Sequence, residues 1–271
     1  MAEENAKKQA RTRVPYKDPR KERTENNKDV GKVFAVVSGK GGVGKSLITS
    51  MLAVESVRRG HSTGIMDIDI TGPSIPKSFG LSGRLLANAD GTALIPAETR
   101  TGIKVVSMNL LIQEEQPVIW RGPIISGTVG EFWTKTVWGK TDYLFADCPP
   151  GTGDVPLTLF QSVPVTGIIV VTSPQDLVSL IVEKAVNMAK MMNVPIVGIV
   201  ENMSYFVCPN CGQKHEIFGH SHVDEIAGKN GIGAVAKLPI DPNVAAAVDA
   251  GNVESLDTSA LKEISDLIFG E

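Results

Sequence analysis

The chain has 271 residues, of which 42% are hydrophobic and 21% are charged, and its formal net charge at pH 7 is −3. These values are typical of a globular protein, and the slight negative charge argues against a general nucleic-acid binder. The sequence has no apolar run near the roughly 20 residues of a membrane helix, no secretory signal at its start, and only three cysteines, too few for a disulfide framework. We therefore expect a cytoplasmic protein that binds neither nucleic acid nor membrane.

The first 30 residues differ in composition from the rest of the chain. They contain nine Lys or Arg and six Asp or Glu, but almost no large apolar residue. A segment of this kind cannot bury enough apolar surface to offset the entropy that is lost on ordering. We predict a disordered charged tail over residues 1–30, with a tail that docks onto a partner as the alternative.

Short runs rich in β-branched residues alternate with helical patterns from residue 31 onward. Most of these runs are apolar throughout, as expected for strands that are covered on both faces. The sequence predicts strands at 32–38, 62–70, 103–108, 142–147, 167–172, 196–201 and 234–240, and helices at 45–59, 124–138 and 176–192. The repeated order of strand and helix predicts one α/β domain over residues 31–271, built on a doubly wound, mostly parallel sheet.

The loop after the first predicted strand fits the pattern G-x-x-x-x-G-K-[ST] between a strand and a helix. Glycines let backbone N–H groups approach phosphate oxygens, and the start of the following helix adds a partial positive charge. In loops of this type the lysine, here Lys45, binds the β- and γ-phosphates, and the hydroxyl, here Ser46, ligates Mg²⁺. We therefore expect ATP and Mg²⁺ at a site formed by Gly39, Lys40, Gly41, Gly42, Val43, Gly44, Lys45 and Ser46.

Three aspartates lie at the ends of predicted strands. Asp67 and Asp69 belong to the end of the second strand, and Asp147 ends the strand at 142–147. Ligands of parallel sheets bind at the carboxyl ends of the strands. An aspartate after an apolar strand is the Walker B arrangement, which predicts Asp147 as a direct or water-mediated ligand of Mg²⁺. The three aspartates beside the phosphate loop therefore predict a nucleotide site.

Cys208 and Cys211 form a C-x₂-C pair, which places two thiolates within reach of one metal. A symmetric dimer would bring two pairs together into one Cys₄ site, suited to a [4Fe–4S] cluster or to zinc. The spacing alone does not distinguish these two metals. The alternatives are a zinc site completed within one chain by His215, His220 or His222, a redox dithiol, and two ordinary cysteines.

Several motifs together resemble one family of ATPases. Lys40, a second lysine early in the phosphate loop, resembles the deviant Walker A class. The full set resembles the Mrp/ApbC iron–sulfur cluster carrier ATPases and lies at residues 40–46, 67–76, 120–123, 138–143, 147–154, 201–203 and 208–211. The resemblance implies a deviant Walker A P-loop NTPase fold in which Lys40 reaches the partner's nucleotide across a dimer interface. It also implies that Asp69 orients the attacking water and that Asp67 lies near the Mg²⁺ shell, so Lys40, Lys45 and Asp69 are the expected catalytic residues.

The same resemblance implies a homodimer that binds a labile [4Fe–4S] cluster between Cys208 and Cys211 of both chains. It further implies slow ATP hydrolysis and transfer of the cluster to client apoproteins. Asn202 and Pro239 match segments that contact the adenine in related ATPases, and the alternative is that both belong to ordinary turns at strand ends. Residues 1–30 contain no cysteine, so the chain resembles the shorter prokaryotic type, which lacks an N-terminal ferredoxin-like cluster. The other hypotheses are a zinc-bridged dimeric switch ATPase of the partitioning type and an adaptor that holds ATP without turnover.

Overall fold

The computed structural model describes residues 23–70, 72, 74–111, 122–151, 153–174 and 178–270, without the side chains at 122–126, 154, 178 and 179. The strands in these ranges are β1 (Val30–Ser38), β2 (Thr63–Asp67), β3 (Leu86–Ala87), β4 (Leu94–Ile95), β5 (Ala97–Glu98), β6 (Lys104–Ser107), β7 (Thr141–Asp147), β8 (Gly167–Thr172), β9 (Ile196–Val207), β10 (Lys214–His215) and β11 (Ala234–Pro239). The α-helices are α1 (Lys45–Arg58), α2 (Ser74–Ser78), α3 (Gly122–Lys135), α4 (Asp154–Ser162), α5 (Val178–Met192), α6 (Val223–Asn230), α7 (Pro242–Asp249) and α8 (Lys262–Phe269). Short 3₁₀ turns occupy Met108–Leu110, Val253–Ser255 and Ser259–Leu261.

One large sheet organises the chain, in the order β10-β9-β8-β1-β7-β2-β6-β5, and β11 also pairs with β9. The ladders that join β1, β2, β6, β7, β8, β9 and β11 are parallel, whereas β5 and β10 pair antiparallel at the two edges. The predicted mostly parallel sheet is confirmed. The central position of β1 places the loop that follows it between β7 and β8, where the crevice at the carboxyl ends of the strands opens.

Both faces of the sheet are covered, which explains why its strands are apolar throughout. Side chains alternate along β1, so Val33, Ala35 and Val37 enter a core that also contains residues of α3, α4 and α5. Phe34 and Val36 enter a second core, on the other face, with residues of α1 and α8. The two cores make the fold doubly wound and fix the central strands rigidly beneath the loops.

The predicted strand at 62–70 ends at Asp67, and two other predicted elements also differ in extent from the structure. The predicted strand at 196–201 continues to Val207, because β11 and β10 offer partners to its second half: Pro239 pairs with Tyr205, and Lys214 pairs with Val207. The predicted helix at 124–138 ends at Lys135. Its last predicted residue, Trp138, instead lies in the segment that leads into β7, where its side chain is fully buried. In both cases tertiary partners override the local pattern.

The N-terminal part of the described chain packs on the domain. Asn27 is fully buried and donates to the carbonyl oxygen of Trp133 at 2.9 Å. The guanidinium of Arg23 lies 5.2 Å from the centre of the Trp133 ring and donates to the carbonyl oxygen of Val30. The packed chain therefore begins earlier than the composition of residues 1–30 predicts. The rest of the predicted tail, 1–22, lies outside the described residues, as do residues 120 and 121 of the motif at 120–123.

Each helix in the described ranges is too short or too polar to cross a lipid bilayer.

Candidate functional site

The phosphate loop leaves β1 at Ser38 and enters α1 at Lys45, and its backbone requires glycine at two positions for different reasons. Gly44 has a φ of +85°, and a Cβ there would lie 2.3 Å from Nδ2 of Asn202. Gly39 has an ordinary φ, but a Cβ there would lie 2.3 Å from a methyl group of Ile181 in α5. These contacts explain the glycines of the motif in terms of the fold, in addition to the space that phosphate oxygens require.

A cleft of about 370 Å³ opens over the phosphate loop. The loop supplies most of its floor. Its other walls come from separate segments: Asp69 and Gly72 after β2, Ser74 and Ser78 of α2, Pro150 after β7, and Val248 of α7. The cleft therefore lies at the carboxyl edge of the sheet, where the sequence predicts a ligand.

A buried charge cluster lies beneath the cleft. Nζ of Lys45 is 2.8 Å from Oδ1 of Asp147 and 3.2 Å from Oδ2 of Asp69. Asp147 is fully buried and also accepts hydrogen bonds from Ser46 Oγ at 2.6 Å and from Thr49 Oγ1 at 2.8 Å. The structure thus brings together the lysine, the hydroxyl and two of the three aspartates that sequence patterns single out.

The cluster shifts the proton affinities of its members. Burial alone would lower the pKa of Lys45, but the charges of Asp147 and Asp69 outweigh it, and the pKa is raised. Asp67 is completely enclosed, and burial together with the charge of Asp147 raises the pKa of its carboxyl well above the usual value. Hydrogen bonds from Ser107 Oγ, at 2.6 Å, and from the Asp69 amide, at 3.1 Å, partly oppose that increase. Asp67 therefore lies in a second layer of the site, behind Asp69 and Asp147.

Three other residues predicted to contact the nucleotide, Lys40, Asn202 and Pro239, lie outside the buried charge cluster. Lys40 is half-buried in the lining of the cleft, and its carbonyl oxygen accepts a hydrogen bond from Ser38 Oγ at 3.0 Å. Asn202 donates from Nδ2 to the carbonyl oxygen of Val43 at 3.0 Å, which ties β9 to the phosphate loop. Pro239 ends β11 at the same edge of the sheet. Neither Asn202 nor Pro239 is among the described residues that line the cleft.

The two cysteines lie in the turn of the β9–β10 hairpin. The Gly212 amide donates to the Cys208 carbonyl at 2.8 Å, and the Cys208 amide donates to the Gln213 carbonyl at 2.9 Å, which closes the turn. Backbone N–H groups of Cys211 and Asn210 point at the Cys208 sulfur and lower the pKa of its thiol. Cys211 is exposed and Cys208 is half-buried, so both thiols are accessible from solvent.

One of the three candidate histidines joins this turn. The sulfur atoms of Cys208 and Cys211 and a ring nitrogen of His215 all lie within 4.8 Å of one another. His220 lies elsewhere in the loop, with Nδ1 3.1 Å from a carboxylate oxygen of Glu216. Among the described residues, this is the group with the composition and spacing of a metal site.

Cys148, by contrast, is a core residue. It is fully buried in the first core, and burial raises the pKa of its thiol. Its sulfur lies 3.9 Å from the carbonyl oxygen of Ala146.

Residues 29–269 match the family described as the NUBPL iron-transfer P-loop NTPases, a ParA-type group. The match covers nearly the whole domain, including the phosphate loop and the cysteine turn. This chain belongs to that family.

Relatives of this chain align with it along most of their length. An iron-sulfur cluster carrier protein of Clostridium perfringens is 42% identical over 236 residues, which are 84% of this chain and 83% of the relative. Another, of Methanocaldococcus jannaschii, is 41% identical over 247 residues, 90% of this chain and 85% of the relative. Both are named for carrying an iron–sulfur cluster.

Solved structures agree on the fold. A nucleotide-binding protein of Archaeoglobus fulgidus, described in complex with ADP and with cobalt, superimposes with a TM-score of 0.77 at 42% identity, covering 86% of this chain and 91% of that one. The cell division ATPase MinD of Pyrococcus furiosus superimposes with a TM-score of 0.65 at 18% identity, covering 89% and 99%. At that identity the MinD likeness concerns the fold alone.

Several side chains at this site were not predicted from sequence, and three of them show what sequence can and cannot reveal. Thr49, which donates to Asp147, lies one helical turn after Lys45, so helix periodicity indicates it. Ser107 ends β6 in register with Asp67, so the rule that ligands gather at carboxyl ends of parallel strands also indicates it. Val248 comes from α7, which is distant in sequence, and no local pattern connects it with the phosphate loop.

Proposed function

We propose that this chain is an ATP-hydrolysing iron–sulfur cluster carrier that acts as a homodimer. Its cargo is a [4Fe–4S] cluster, held between Cys208 and Cys211 of both copies and released to client apoproteins. The family and the names of the relatives support the carrier function. The cluster type, the hydrolysis and the dimer are parts of the proposal.

The observation that carries this proposal is the position of both sites on one strand. Asn202 of β9 holds the phosphate loop through the carbonyl of Val43, at 3.0 Å. The same strand ends at Val207, and Cys208 follows immediately. A rearrangement of the phosphate loop on nucleotide binding would therefore reach the thiols along a single continuous segment. This supports coupling of nucleotide state to cargo binding, which must be reciprocal between the two ligands.

The buried cluster fits nucleotide chemistry. Oγ of Ser46 and Oδ2 of Asp147, 2.6 Å apart, are the hard oxygen donors that Mg²⁺ prefers. Mg²⁺, when bound, neutralises charge on the phosphates. Lys45 supplies a fixed positive charge for the phosphoryl group, and Asp69, on the cleft side of the cluster, orients the attacking water. Lys40, in the cleft lining, would act on the nucleotide of the neighbouring copy, where an added cation stabilises developing charge.

The cysteine turn fits a cluster that is carried and released. Thiolates are soft ligands that suit iron–sulfur clusters. The lowered pKa of Cys208 favours its thiolate, and the exposure of Cys211 leaves the cargo open to a client. Each copy contributes two thiolates, so a two-fold dimer supplies the four that a cubane cluster requires.

The test is the iron and acid-labile sulfide content after anaerobic reconstitution, with mass measured by light scattering. We expect about four iron and four sulfide ions per dimer in the wild-type protein. Cys208→Ala/Cys211→Ala should lose both, whereas Cys148→Ala, which removes the buried thiol, should retain them. Zinc without sulfide would instead support a zinc-bridged switch ATPase, and iron that survives loss of both surface cysteines would refute the proposed cargo site.

A further inference from the structure

The register of the β9–β10 hairpin directs one histidine at the cysteine turn. His215 pairs with Phe206 across the hairpin, and Cys208 lies two residues further along the chain. Because side chains alternate between the two faces of paired strands, Cys208 and His215 share a face. Lys214 belongs to the other face, where its ammonium lies 4.3 Å from the centre of the Tyr205 ring.

The three ligand atoms are already near the spacing that one metal ion requires. They lie within 4.8 Å of one another, whereas a tetrahedral ion with bonds of 2.0–2.3 Å holds its ligand atoms roughly 3.5 Å apart. A closure of about 1 Å is within the reach of side-chain rotation, since Cys211 and His215 are exposed and Cys208 is half-buried. His220 and His222 are not members of this group, and their rings instead lie near Glu216 and Glu225.

We propose that a single chain binds one divalent ion of the zinc or ferrous type through Cys208, Cys211 and His215. Two thiolates and an imidazole suit such ions, and binding releases the two thiol protons to solvent. Cys211 and His215 are exposed, so a fourth ligand can reach the ion from solvent. The inference rests on the proposed function in one respect, since the same cysteines hold the cluster in the dimer. There four thiolates suffice, and His215 is released.

Cobalt(II) is the probe, added anaerobically to the reduced, metal-free, full-length chain at a concentration at which light scattering reports a monomer. We expect one Co²⁺ per chain, with the intense visible absorption of a tetrahedral ion. His215→Ala should weaken Co²⁺ binding by about 10–100-fold or more, since even loss of an outer-shell partner has that effect. His220→Ala, which changes an exposed histidine outside the group, should bind as the wild-type protein does.

A second variant gives a gain of signal that a folding defect cannot imitate. His215→Cys should keep the tetrahedral spectrum and increase the thiolate-to-cobalt charge-transfer absorption, because a third sulfur replaces the imidazole. Equal Co²⁺ affinity and spectra in the wild-type protein and His215→Ala would overturn the inference. One Co²⁺ per two chains, bound only as a dimer forms, would overturn it as well.

Cluster reconstitution of the same variants separates this inference from the proposed function. We expect His215→Ala to assemble the cluster at the wild-type stoichiometry, because the dimer site uses thiolates alone. If the wild-type protein bound Co²⁺ as described but assembled no cluster, the proposed function would fail while the mononuclear site stood. If the cluster assembled but His215 did not affect Co²⁺ binding, only the mononuclear site would fail.

Discussion

Gly44→Ala is predicted to destabilise the domain through its contact with β9, in addition to the effect on the loop itself. At the φ of +85° found here, an alanine costs about 1–2 kcal/mol. Its Cβ would also lie 2.3 Å from Nδ2 of Asn202, well below the ordinary contact distance of 3.4 Å, so that Asn202 must move. The movement breaks its hydrogen bond to the Val43 carbonyl, which contributes about 1 kcal/mol. The free energy of unfolding should therefore fall by about 2–3 kcal/mol.

Gly42→Ala is the matched control. Gly42 has a similar φ of +79°, but a Cβ there meets nothing within 4 Å, so only the backbone cost of about 1–2 kcal/mol applies. Urea unfolding followed by circular dichroism, without nucleotide, measures both variants. Gly44→Ala/Asn202→Ala should cost less than the sum of its two single changes, because the clash and the lost bond are the same contact. Equal losses at positions 42 and 44, or strict additivity in the double variant, would refute this reasoning.

Three further predictions concern the buried cluster and the cleft above it. Because the pKa of Asp67 is raised in the folded protein, its contribution to stability is present in acid and is lost as the pH rises through that pKa. Asp67→Asn should therefore resist urea better than the wild-type protein at pH 8, with the difference closing toward pH 4, and a constant difference would contradict it. Thr49→Val removes the 2.8 Å hydrogen bond to Asp147, and we expect a loss of about 1.5–3 kcal/mol in the free energy of unfolding, measured in urea. No loss would mean that solvent replaces the hydroxyl. Mixed dimers of Lys40→Ala and Asp69→Asn chains should recover part of the phosphate release that each parent lacks, whereas uniformly inactive mixtures would exclude action across the interface.

Local sequence patterns predict those parts of the site whose residues lie close together in the sequence. The phosphate loop is contiguous in sequence, so its glycines, Lys45 and Ser46 could be found from one motif. Asp147 could be found because an apolar strand followed by an acidic residue is itself a local pattern. The sheet was predictable for a related reason, since strands covered on both faces are apolar at every position.

The remaining features depend on contacts between distant segments. The hydrogen bond from Asn202 to the phosphate loop joins residues 159 positions apart. From spacing alone, three histidines are equal candidates for a metal ligand beside the cysteines. The register of the hairpin places only one of them, His215, next to both thiols. Asn27 is polar and lies in a charged segment, so its burial against Trp133 became evident only once the fold supplied the partner.

Because Cys148 is buried, its reactivity can be used to measure how often the core of the domain opens. Two of the chain's three thiols lie at or near the surface and one lies in the core, so an alkylating reagent should modify Cys208 and Cys211 of the native protein quickly. Modification of Cys148 then requires a transient opening of the core, and its rate follows the fraction of molecules that are open. Mass spectrometry of single, double and triple adducts would read this fraction without any introduced label. A nucleotide that stabilises the domain should slow the third adduct while leaving the first two unchanged.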